Sequence, residues 1–191
     1  MGPNSLIAIL HDMNTQLEIK LKDPPFLLPK ISSMRTGIGT DQHKYALTKK
    51  ELEKSRLFKL GGVEIPNIKV ISNSDGDAIY HALWDAISSA IGGSSIGKNY
   101  PNDNRLSKVF LEELKETMDN EGYVINNISI VIECAKPKIL PIENEIKENI
   151  AQIFKINLDQ IGITAKSGEG LTEYGKGKGV EVIANVTLFK Y

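Results

Sequence analysis

The segment 73–85 limits the possible folds of this chain more than any other. Within it, Asp77, His81 and Asp85 follow one another at steps of four residues, and on a helix this step returns to the same face about one turn later. The positions between them are apolar and would form the opposite, buried face: Ala78, Ile79, Ala82, Leu83, Ala86 and Ile87. The segment therefore predicts an amphipathic helix with an acid–imidazole–acid stripe.

A second pair of candidate ligands precedes this helix. Asp41 and His43 are two residues apart on a predicted strand from Arg35 to Tyr45, so both side chains point to the same face. A carboxylate beside an imidazole is a two-ligand half-site for a borderline metal such as zinc. Each feature also has a plainer interpretation, namely a surface Asp/His pair on the strand and a packed or solvated histidine on the helix.

The composition predicts one globular domain with a sizeable core, since the chain has 191 residues, 41% of them hydrophobic and 25% charged. The net charge of −1 gives no electrostatic basis for binding nucleic acid or an anionic membrane. No apolar run approaches the ~20 residues that a membrane span needs. Cys134 is the single cysteine, which excludes an intrachain disulfide and favours a reducing compartment.

The order of the predicted elements indicates an α/β (α+β) fold with a single mixed sheet and helices covering one face. Residues 1–34 are expected to be an N-terminal extension or leader, and residues 35–191 the folded domain. After the first strand we expect a hairpin around Gly61–Gly62, a helix between Asp77 and Gly92, a helix over 106–120, a strand over 124–133, a helix from Pro141, and strands over 159–165 and 180–188. The uncovered face of the sheet would need a partner, so an oligomer is expected.

Local signals predict how several elements begin and end. Ser74 or Asp75 is the expected N-cap of the helix that carries the acid–imidazole–acid stripe. Pro66–Asn67 is expected to form a turn. Residues 46–57 are charged and predict an insertion or a short solvated helix.

Asp41, His43 and His81 together form a three-ligand set of two imidazoles and one carboxylate. Three protein ligands with an open fourth position are typical of catalytic rather than structural zinc. Asp85, one turn after His81, is expected to orient a ligand histidine through its second nitrogen, and Asp77 is the alternative.

Polar, glycine-rich loops in the chain suit a phosphorylated ligand. Ser74, Lys98, Ser167 and Lys176, together with backbone N–H groups at a helix start, are groups that bind phosphate. Glu169 is a free carboxylate for a second, hard cation such as Mg²⁺. The chain has neither GxxxxGK[ST] nor a GxGxxG that follows a strand, so the two common nucleotide-binding fingerprints are excluded.

Six motifs, in order along residues 35–190, resemble those of the 2-C-methyl-D-erythritol 2,4-cyclodiphosphate synthase family. They are Gly39–His43, Leu60–Pro66, Ser74–Asp77 with His81 and Asp85, Ile96–Lys98, Lys136–Pro141 and Glu169. The resemblance implies an α/β homotrimer with its sheets facing the threefold axis and active sites between adjacent subunits. It further implies a bacterial cytoplasm or a plastid-type organelle matrix as the compartment.

The reaction that the resemblance implies belongs to the non-mevalonate isoprenoid pathway. The substrate would be 4-CDP-2-C-methyl-D-erythritol 2-phosphate, whose 2-phosphate attacks the β-phosphorus, closes a cyclic diphosphate and releases CMP. No water is consumed, so the enzyme would be a phosphorus–oxygen lyase.

The resemblance also implies a role for each matching residue. Asp41, His43 and His81 would bind zinc, and Glu169 would hold Mg²⁺ or Mn²⁺ between phosphates. Asn73 and Ser167 would stand at catalytic positions. The cytidine pocket would be formed by Cys134, Pro137, Lys138, Ile139, Leu140 and Ala165. The methylerythritol would be faced by Gly97, Tyr100, Pro101, Asn102, Asp103 and Asn104. Further substrate contacts would come from Ser74, Ser95, Ile96, Ala135, Lys136, Lys166, Gly168 and Lys176.

Two matching positions keep the hydroxyl or the positive charge of the family residue: Ser167 stands where threonine is common, and Lys176 where arginine is common. Three positions depart from the family pattern. Asn73 stands where many members have histidine, and Ser95 and Asn102 stand where members often have aspartate. Because the metal ligands are complete, we interpret these differences as altered substrate contacts. Two other functions on the same scaffold stay open at this point: a metal-dependent phosphate-ester hydrolase, and a non-catalytic trimer that binds zinc or a nucleotide.

Overall fold

The computed structural model describes residues 34–101, 103 and 105–191. The strands are β1 (Met34–Tyr45), β2 (Arg56–Leu60), β3 (Val63–Ile71), β4 (Tyr123–Glu133), β5 (Ile161–Lys166) and β6 (Gly179–Lys190). The helices are α1 (Lys49–Leu52), α2 (Ala78–Ala90), α3 (Ile96–Asn99), α4 (Ser107–Asn120) and α5 (Glu143–Phe154). Short 3₁₀ turns lie at Leu140–Ile142, Leu158–Gln160 and Gly168–Gly170. The expected extension over residues 1–34 lies almost wholly outside the described residues and stays a prediction.

All six strands belong to one mixed sheet in the order β2-β3-β1-β6-β4-β5. β4 and β5 are parallel, and the other neighbouring pairs are antiparallel. Burial alternates along the strands, as on β6, where Val182, Ala184 and Val186 are fully buried beneath the helices. The predicted single sheet with helices is confirmed.

Helix α2 lies close against β1 because glycines face it. A Cβ atom at Gly39 would lie 2.2 Å from the carbonyl oxygen of Ala82, and one at Gly37 would lie 2.0 Å from that of Ala86. On the helix, Ile79, Leu83 and Ile87 are fully buried, each contributing about 2 kcal/mol of transfer free energy. The apolar face of the 73–85 segment therefore packs as its periodicity predicts.

The predicted turn at Pro66–Asn67 is wrong, because both residues lie inside β3. β3 pairs with β2 at Val63–Glu64 and again at Lys69–Val70, with a register shift between the two stretches. Pro66 lies in this irregular stretch, where its missing N–H removes no ladder hydrogen bond. Asn67 has φ 62°, a left-handed conformation that asparagine tolerates.

The charged 46–57 segment contains the short helix α1, which has no buried residue, so the predicted short solvated helix is confirmed. No helix in the part of the chain that the structure describes is long and apolar enough to cross a membrane.

Candidate active site

Two neighbouring elements bring the three candidate metal ligands together. Asp41 and His43 lie on β1, and His81 lies in the first turns of α2. Asp41 Oδ2 lies 3.3 Å from His43 Nε2 and 3.2 Å from His81 Nδ1. The three ligand atoms lie within 4.8 Å of one another, which is the spacing of atoms that share one ion.

The ring nitrogens of His43 fit a metal ion. Nδ1 lies 3.0 Å from the carbonyl oxygen of Gln42, which can only accept, so Nδ1 carries the proton and Nε2 keeps its lone pair. Nε2 is buried without a hydrogen-bond partner in the described chain, and an unpaired buried nitrogen is unfavourable. A cation beside Asp41 would satisfy it, so the residues present fit the zinc that the sequence predicts.

For each of the two histidines, burial lowers the pKa and the charge of Asp41 raises it. Burial lowers the pKa of His43, with the charge of Asp41 opposing it, so the neutral ligand form is favoured. Burial also acts to lower the pKa of His81, but the hydrogen bond and charge of Asp41 outweigh it and the pKa is raised. A metal ion at this site would therefore compete with a proton for His81.

The expected orienting role of Asp77 is wrong, because its carboxylate holds backbone N–H groups instead. Asp77, rather than Ser74 or Asp75, is the N-cap of α2 and accepts from Tyr80 N at 3.1 Å. It also accepts from Gly61 N at 2.9 Å and Gly62 N at 2.6 Å, which ties the β2–β3 hairpin to the helix. Burial raises its pKa against the opposing effect of these three donors.

Asp85 is likewise not the orienting group. Its carboxylate accepts from Ile96 N at 2.8 Å and so fixes the start of α3. Burial raises the pKa of Asp85, with the N–H of Ile96 opposing the shift. The structure places no hydrogen bond between Asp85 and His43 or His81, all three of which are described residues.

Ser107 and Asp75 occupy the place that we expected Asp85 or Asp77 to take. Ser107 Oγ lies 2.8 Å from His81 Nε2, and its backbone N–H donates to Asp75 Oδ2 at 2.8 Å. The hydroxyl of Ser107 also contacts Asp75 Oδ1. Sequence reasoning missed this contact because Ser107 lies 26 residues after His81 on another helix, and Asp75 was considered only as a cap. The only sequence signal that could have indicated this contact is the serine at the first position of α4.

A polar cavity of about 1040 Å³ opens beside His81. Several predicted substrate contacts line it: Asn73, Ser74, Ile96, Gly97, Tyr100 and Asp103. Lys54 and Arg56, which were not among the predicted substrate contacts, also line it and add two cationic side chains. Pro101 is exposed in the adjoining turn, and Asn102 and Asn104 lie outside the described residues.

Ser95 lies in a different place from the other contacts expected for methylerythritol. It precedes α3 as its N-cap residue and lines a shallow hollow with Thr40 and Asp85. This hollow opens near the uncovered face of the sheet, where Ile38 is also exposed.

A second group of predicted residues lies at the far edge of the sheet. Lys166, Ser167, Gly168 and Glu169 follow β5 and line a separate cavity of about 290 Å³. β5 is three strands away from β1, which places the two groups about 14 Å apart at ordinary strand spacing. Glu169 has φ 45°, a left-handed conformation that is uncommon outside glycine, and its side chain is exposed. Within one subunit, the structure does not bring Ser167 and Glu169 to the Asp–His–His cluster.

The segment predicted to bind cytidine begins where β4 ends. Its start is held by Tyr45, whose hydroxyl donates to the Lys136 carbonyl oxygen at 2.5 Å, and by a weak Cys134 Sγ contact with the Pro137 carbonyl oxygen at 3.6 Å. Burial raises the pKa of the Cys134 thiol to about 11, so it stays protonated at neutral pH. The side chain of Ile139 is buried in the core, whereas Leu140 is 83% exposed.

The other residues predicted for this pocket lie at its border. Ala135 N donates to the Tyr174 carbonyl oxygen at 3.1 Å, and Lys138 and Ala165 are exposed. Lys176 is also exposed and forms a salt bridge with Glu173 at 2.9 Å. The hydrogen bond of Ala135 thus connects the end of β4 to the glycine-rich loop that precedes β6.

A single mixed sheet covered by helices, with an Asp–His–His cluster that could hold a metal ion and a polar cavity beside His81, is the arrangement of an α/β enzyme with a candidate metal site. The sequence model of the YgbB family matches residues 34–189. The 2-C-methyl-D-erythritol 2,4-cyclodiphosphate synthase of Treponema denticola is 39% identical over an alignment of 162 residues, and the match covers 82% of this chain and 96% of the bacterial protein. The apicoplast synthase of Plasmodium falciparum is 34% identical over an alignment of 174 residues, and the match covers 82% of this chain and 72% of that protein.

Solved structures lead to the same result. An IspF of Plasmodium falciparum in complex with CDP has a TM-score of 0.73 to this chain at 34% identity, covering 83% of this chain and 97% of that one. A 2C-methyl-D-erythritol 2,4-cyclodiphosphate synthase of Plasmodium vivax has a TM-score of 0.72 at 32% identity, with 83% and 99% covered. The chain belongs to the YgbB family, whose curated relatives are 2-C-methyl-D-erythritol 2,4-cyclodiphosphate synthases.

Proposed function

We propose that the cavity beside Asp41, His43 and His81 is the site at which this chain performs the reaction of its family. The function is that of a 2-C-methyl-D-erythritol 2,4-cyclodiphosphate synthase, a lyase of non-mevalonate isoprenoid biosynthesis. The observation that carries the site assignment is that His81, which belongs to the three-residue cluster, also lines the polar cavity. The relatives favour this function over the hydrolase and the non-catalytic trimer.

The reaction joins two anionic groups, so charge neutralisation is its main requirement. In 4-CDP-2-C-methyl-D-erythritol 2-phosphate, an oxygen of the 2-phosphate forms a bond to the β-phosphorus. The bond from the β-phosphorus to the oxygen that bridges to the α-phosphorus breaks, and CMP leaves with that oxygen. The products are the cyclic diphosphate and CMP, and water takes no part.

The chain's own residues supply binding and orientation around the phosphates. Asp41, His43 and His81 would hold Zn²⁺, which when bound polarises the diphosphate as a Lewis acid. Asn73, in the cavity wall, can donate a hydrogen bond to a phosphate oxygen but carries no charge. Lys54 and Arg56, which also line the cavity, supply positive charge that Asn73 lacks.

Glu169 and Ser167, which lie at the far edge of the sheet, would take part in the same reaction. Glu169 would hold Mg²⁺ or Mn²⁺, a hard cation that prefers carboxylate and phosphate oxygens. Ser167 offers a hydroxyl next to it. The Plasmodium falciparum relative is a CDP complex, which supports the binding of a cytidine nucleotide by this chain. The segment that follows β4 would hold it.

A homotrimer would unite the two groups of residues. The uncovered face of the sheet exposes apolar side chains, with Ile38 60% and Val131 39% exposed, and such a face favours a partner. Leu171, beside Glu169, is 83% exposed at the edge that β5 forms. A second copy against this edge would place its Asp–His–His cluster near Ser167 and Glu169. The bacterial and apicoplast relatives support a bacterial cytoplasm or an organelle matrix.

The test is ³¹P NMR of the purified protein with 4-CDP-2-C-methyl-D-erythritol 2-phosphate, Zn²⁺ and Mg²⁺. We expect the resonances of a cyclic diphosphate and of CMP in equal amounts. A linear phosphate product would support the hydrolase instead, and an unchanged spectrum from a protein with bound zinc would support the non-catalytic trimer. The His81→Ala variant is the negative control for contaminating activity.

A further inference from the structure

Both ring nitrogens of His81 have a contact. Nδ1 must be unprotonated to bind a metal ion, whereas Nε2 must then carry the proton of the neutral ring. Nδ1 lies 3.2 Å from Asp41 Oδ2, on the side of the candidate metal. Nε2 lies 2.8 Å from Ser107 Oγ, on the opposite side. The side chain of His81 is 11% exposed, so water competes little with either contact. To bind a metal through Nδ1, the neutral ring must carry its proton on Nε2.

Asp41 alone would favour the wrong form of the ring. A carboxylate only accepts hydrogen bonds, so Asp41 Oδ2 attracts a proton to His81 Nδ1 in the metal-free chain. A ring with its single proton on Nδ1 has no lone pair to offer an ion at that atom. The site therefore needs a second group that keeps the proton on Nε2.

Ser107 and Asp75 meet this requirement through the direction of their hydrogen bonds. Asp75 accepts twice from Ser107, from the backbone N–H at 2.8 Å and from the hydroxyl. A serine hydroxyl has one proton, and here it goes to the Asp75 carboxylate. Ser107 Oγ can therefore only accept from His81, and Nε2 must be the donor.

We infer that Asp75 and Ser107 are positioning residues that set the ring form of His81 and so prepare Nδ1 for the metal. They act through His81 and touch neither substrate nor the ion. The inference rests on the proposed zinc site. Removing the group that hydrogen-bonds the second nitrogen of a metal-binding histidine commonly lowers metal affinity about 10–100-fold.

Three variants separate this role from simple anchoring of α4. Ser107→Ala keeps the backbone N–H bond to Asp75 and loses the acceptor for His81. Ser107→Thr keeps the hydroxyl. Asp75→Asn places an amide that donates to Ser107 Oγ, which frees the serine proton for His81 Nε2 and reverses the direction of the chain of hydrogen bonds. A pure anchoring role predicts no such order among the three.

The first measurement is the zinc dissociation constant by competition with a chromophoric chelator, in the full chain and without turnover. We expect zinc affinity to fall about tenfold in Ser107→Ala and about a hundredfold in Asp75→Asn, and to be kept in Ser107→Thr. Ser88→Ala is the matched control, because Ser88 is similarly buried (3% exposed, against 1% for Ser107) and bonds the Ser94 carbonyl oxygen away from the cluster. Circular dichroism of each variant reports folding.

The second measurement is a long-range ¹H–¹⁵N spectrum of the histidine rings in the zinc-loaded chain, which contains three histidines. A proton on Nε2 of His81 is expected in the wild type. A proton on Nδ1, or equal zinc affinity in folded Ser107→Ala, Asp75→Asn and wild type, would overturn the inference. Failure of the wild type to bind zinc would overturn it together with the zinc assignment. The synthase reaction is judged separately by its ³¹P products.

Discussion

The polar side chains around the cluster form two groups. Some hydrogen-bond the candidate metal ligands, and others hydrogen-bond backbone N–H groups. His43 and His81 each direct one nitrogen to Asp41 and the other to an oxygen, of Gln42 or Ser107. The acid–imidazole–acid stripe predicted one polar helix face, but its two carboxylates bind backbone N–H groups. Asp77 lies just before the helix, where unpaired N–H groups attract a carboxylate. Asp85 lies within reach of the unpaired N–H of Ile96 at the start of α3.

Replacing His81 tests the ligand assignment. We expect His81→Ala to lower zinc affinity by more than about a hundredfold and to abolish turnover, because two ligands hold zinc poorly. Metal content by elemental analysis and turnover by ³¹P NMR measure the two effects. Asp85→Asn, one turn further along the helix, keeps an acceptor oxygen for Ile96 N and is expected to retain stoichiometric zinc. Stoichiometric zinc in His81→Ala would contradict the assignment.

Replacing Asp77 tests its structural role. Asp77→Ala removes the cap of α2 and leaves the N–H groups of Gly61 and Gly62 without an acceptor. We expect the free energy of unfolding to fall by about 3 kcal/mol, measured by urea denaturation of the metal-free chain. Asp77→Asn keeps one acceptor oxygen and should lose less.

The pH dependence of stability adds a second test of Asp77. Because burial raises its pKa above the ordinary value of 3.8, the folded chain takes up this proton at higher pH than the unfolded chain does. The contribution of Asp77 to the free energy of unfolding is therefore expected to fall as the pH rises from 3.8 through the raised pKa. The Asp77→Asn variant should lack this contribution, and an identical slope in both proteins would argue against it.

At the scale of the elements, the contact between β1 and α2 makes the cluster. β1 carries two candidate ligands and α2 the third, and both glycines of β1 that face the helix allow the two backbones to approach closely. Periodicity predicted both elements and the faces of their side chains. It could not predict that these two elements pack together, because that depends on contacts about 40 residues apart.

Substituting Gly39 tests this contact. A Cβ atom there would lie 2.2 Å from the Ala82 carbonyl oxygen and 2.4 Å from Ala86 N, so α2 must move away from β1. We expect Gly39→Ala to lower the free energy of unfolding by about 3 kcal/mol, and also to weaken zinc binding since the ligands separate. Urea denaturation and chelator competition measure the two. Gly162→Ala is the control, because its nearest neighbour atom, the Ile128 carbonyl oxygen, lies at an ordinary 3.9 Å.

At the scale of the whole molecule, the single subunit holds two separated halves of a proposed active site. The metal cluster and the large cavity lie on the β1 side, and Glu169 lies beyond β5 at the sheet edge. The sequence resemblance implied that active sites form between subunits, and the separation in one chain agrees with that hypothesis. The trimer itself stays a proposal.

A charge on the uncovered sheet face tests the assembly. Ile183 lies on this face opposite Thr40 and Val131, with Glu181 two residues before it on the same side. We expect Ile183→Glu to sediment as a species smaller than a trimer and to lose at least tenfold in turnover, because like charges would meet in a desolvated interface. Zinc should stay stoichiometric, since all three ligands lie in one subunit.

The control for this experiment is Glu148→Gln, a change of one charge on an exposed position of α5, on the opposite side of the sheet. It should sediment and turn over as the wild type does. A fully active Ile183→Glu monomer would contradict the proposal that the site needs two subunits.

Local patterns in the sequence were enough to predict most of the helices and strands and to single out the three candidate metal ligands. Alternation put Asp41 and His43 on one strand face, and the step of 3.6 residues gave α2 its buried side, because both patterns follow from local backbone geometry. The tertiary structure alone decided which groups meet. Ser107 reaches His81 from a different helix, and Ser167 lies three strands from Asp41. Such encounters depend on the packing of distant segments, which no local period encodes.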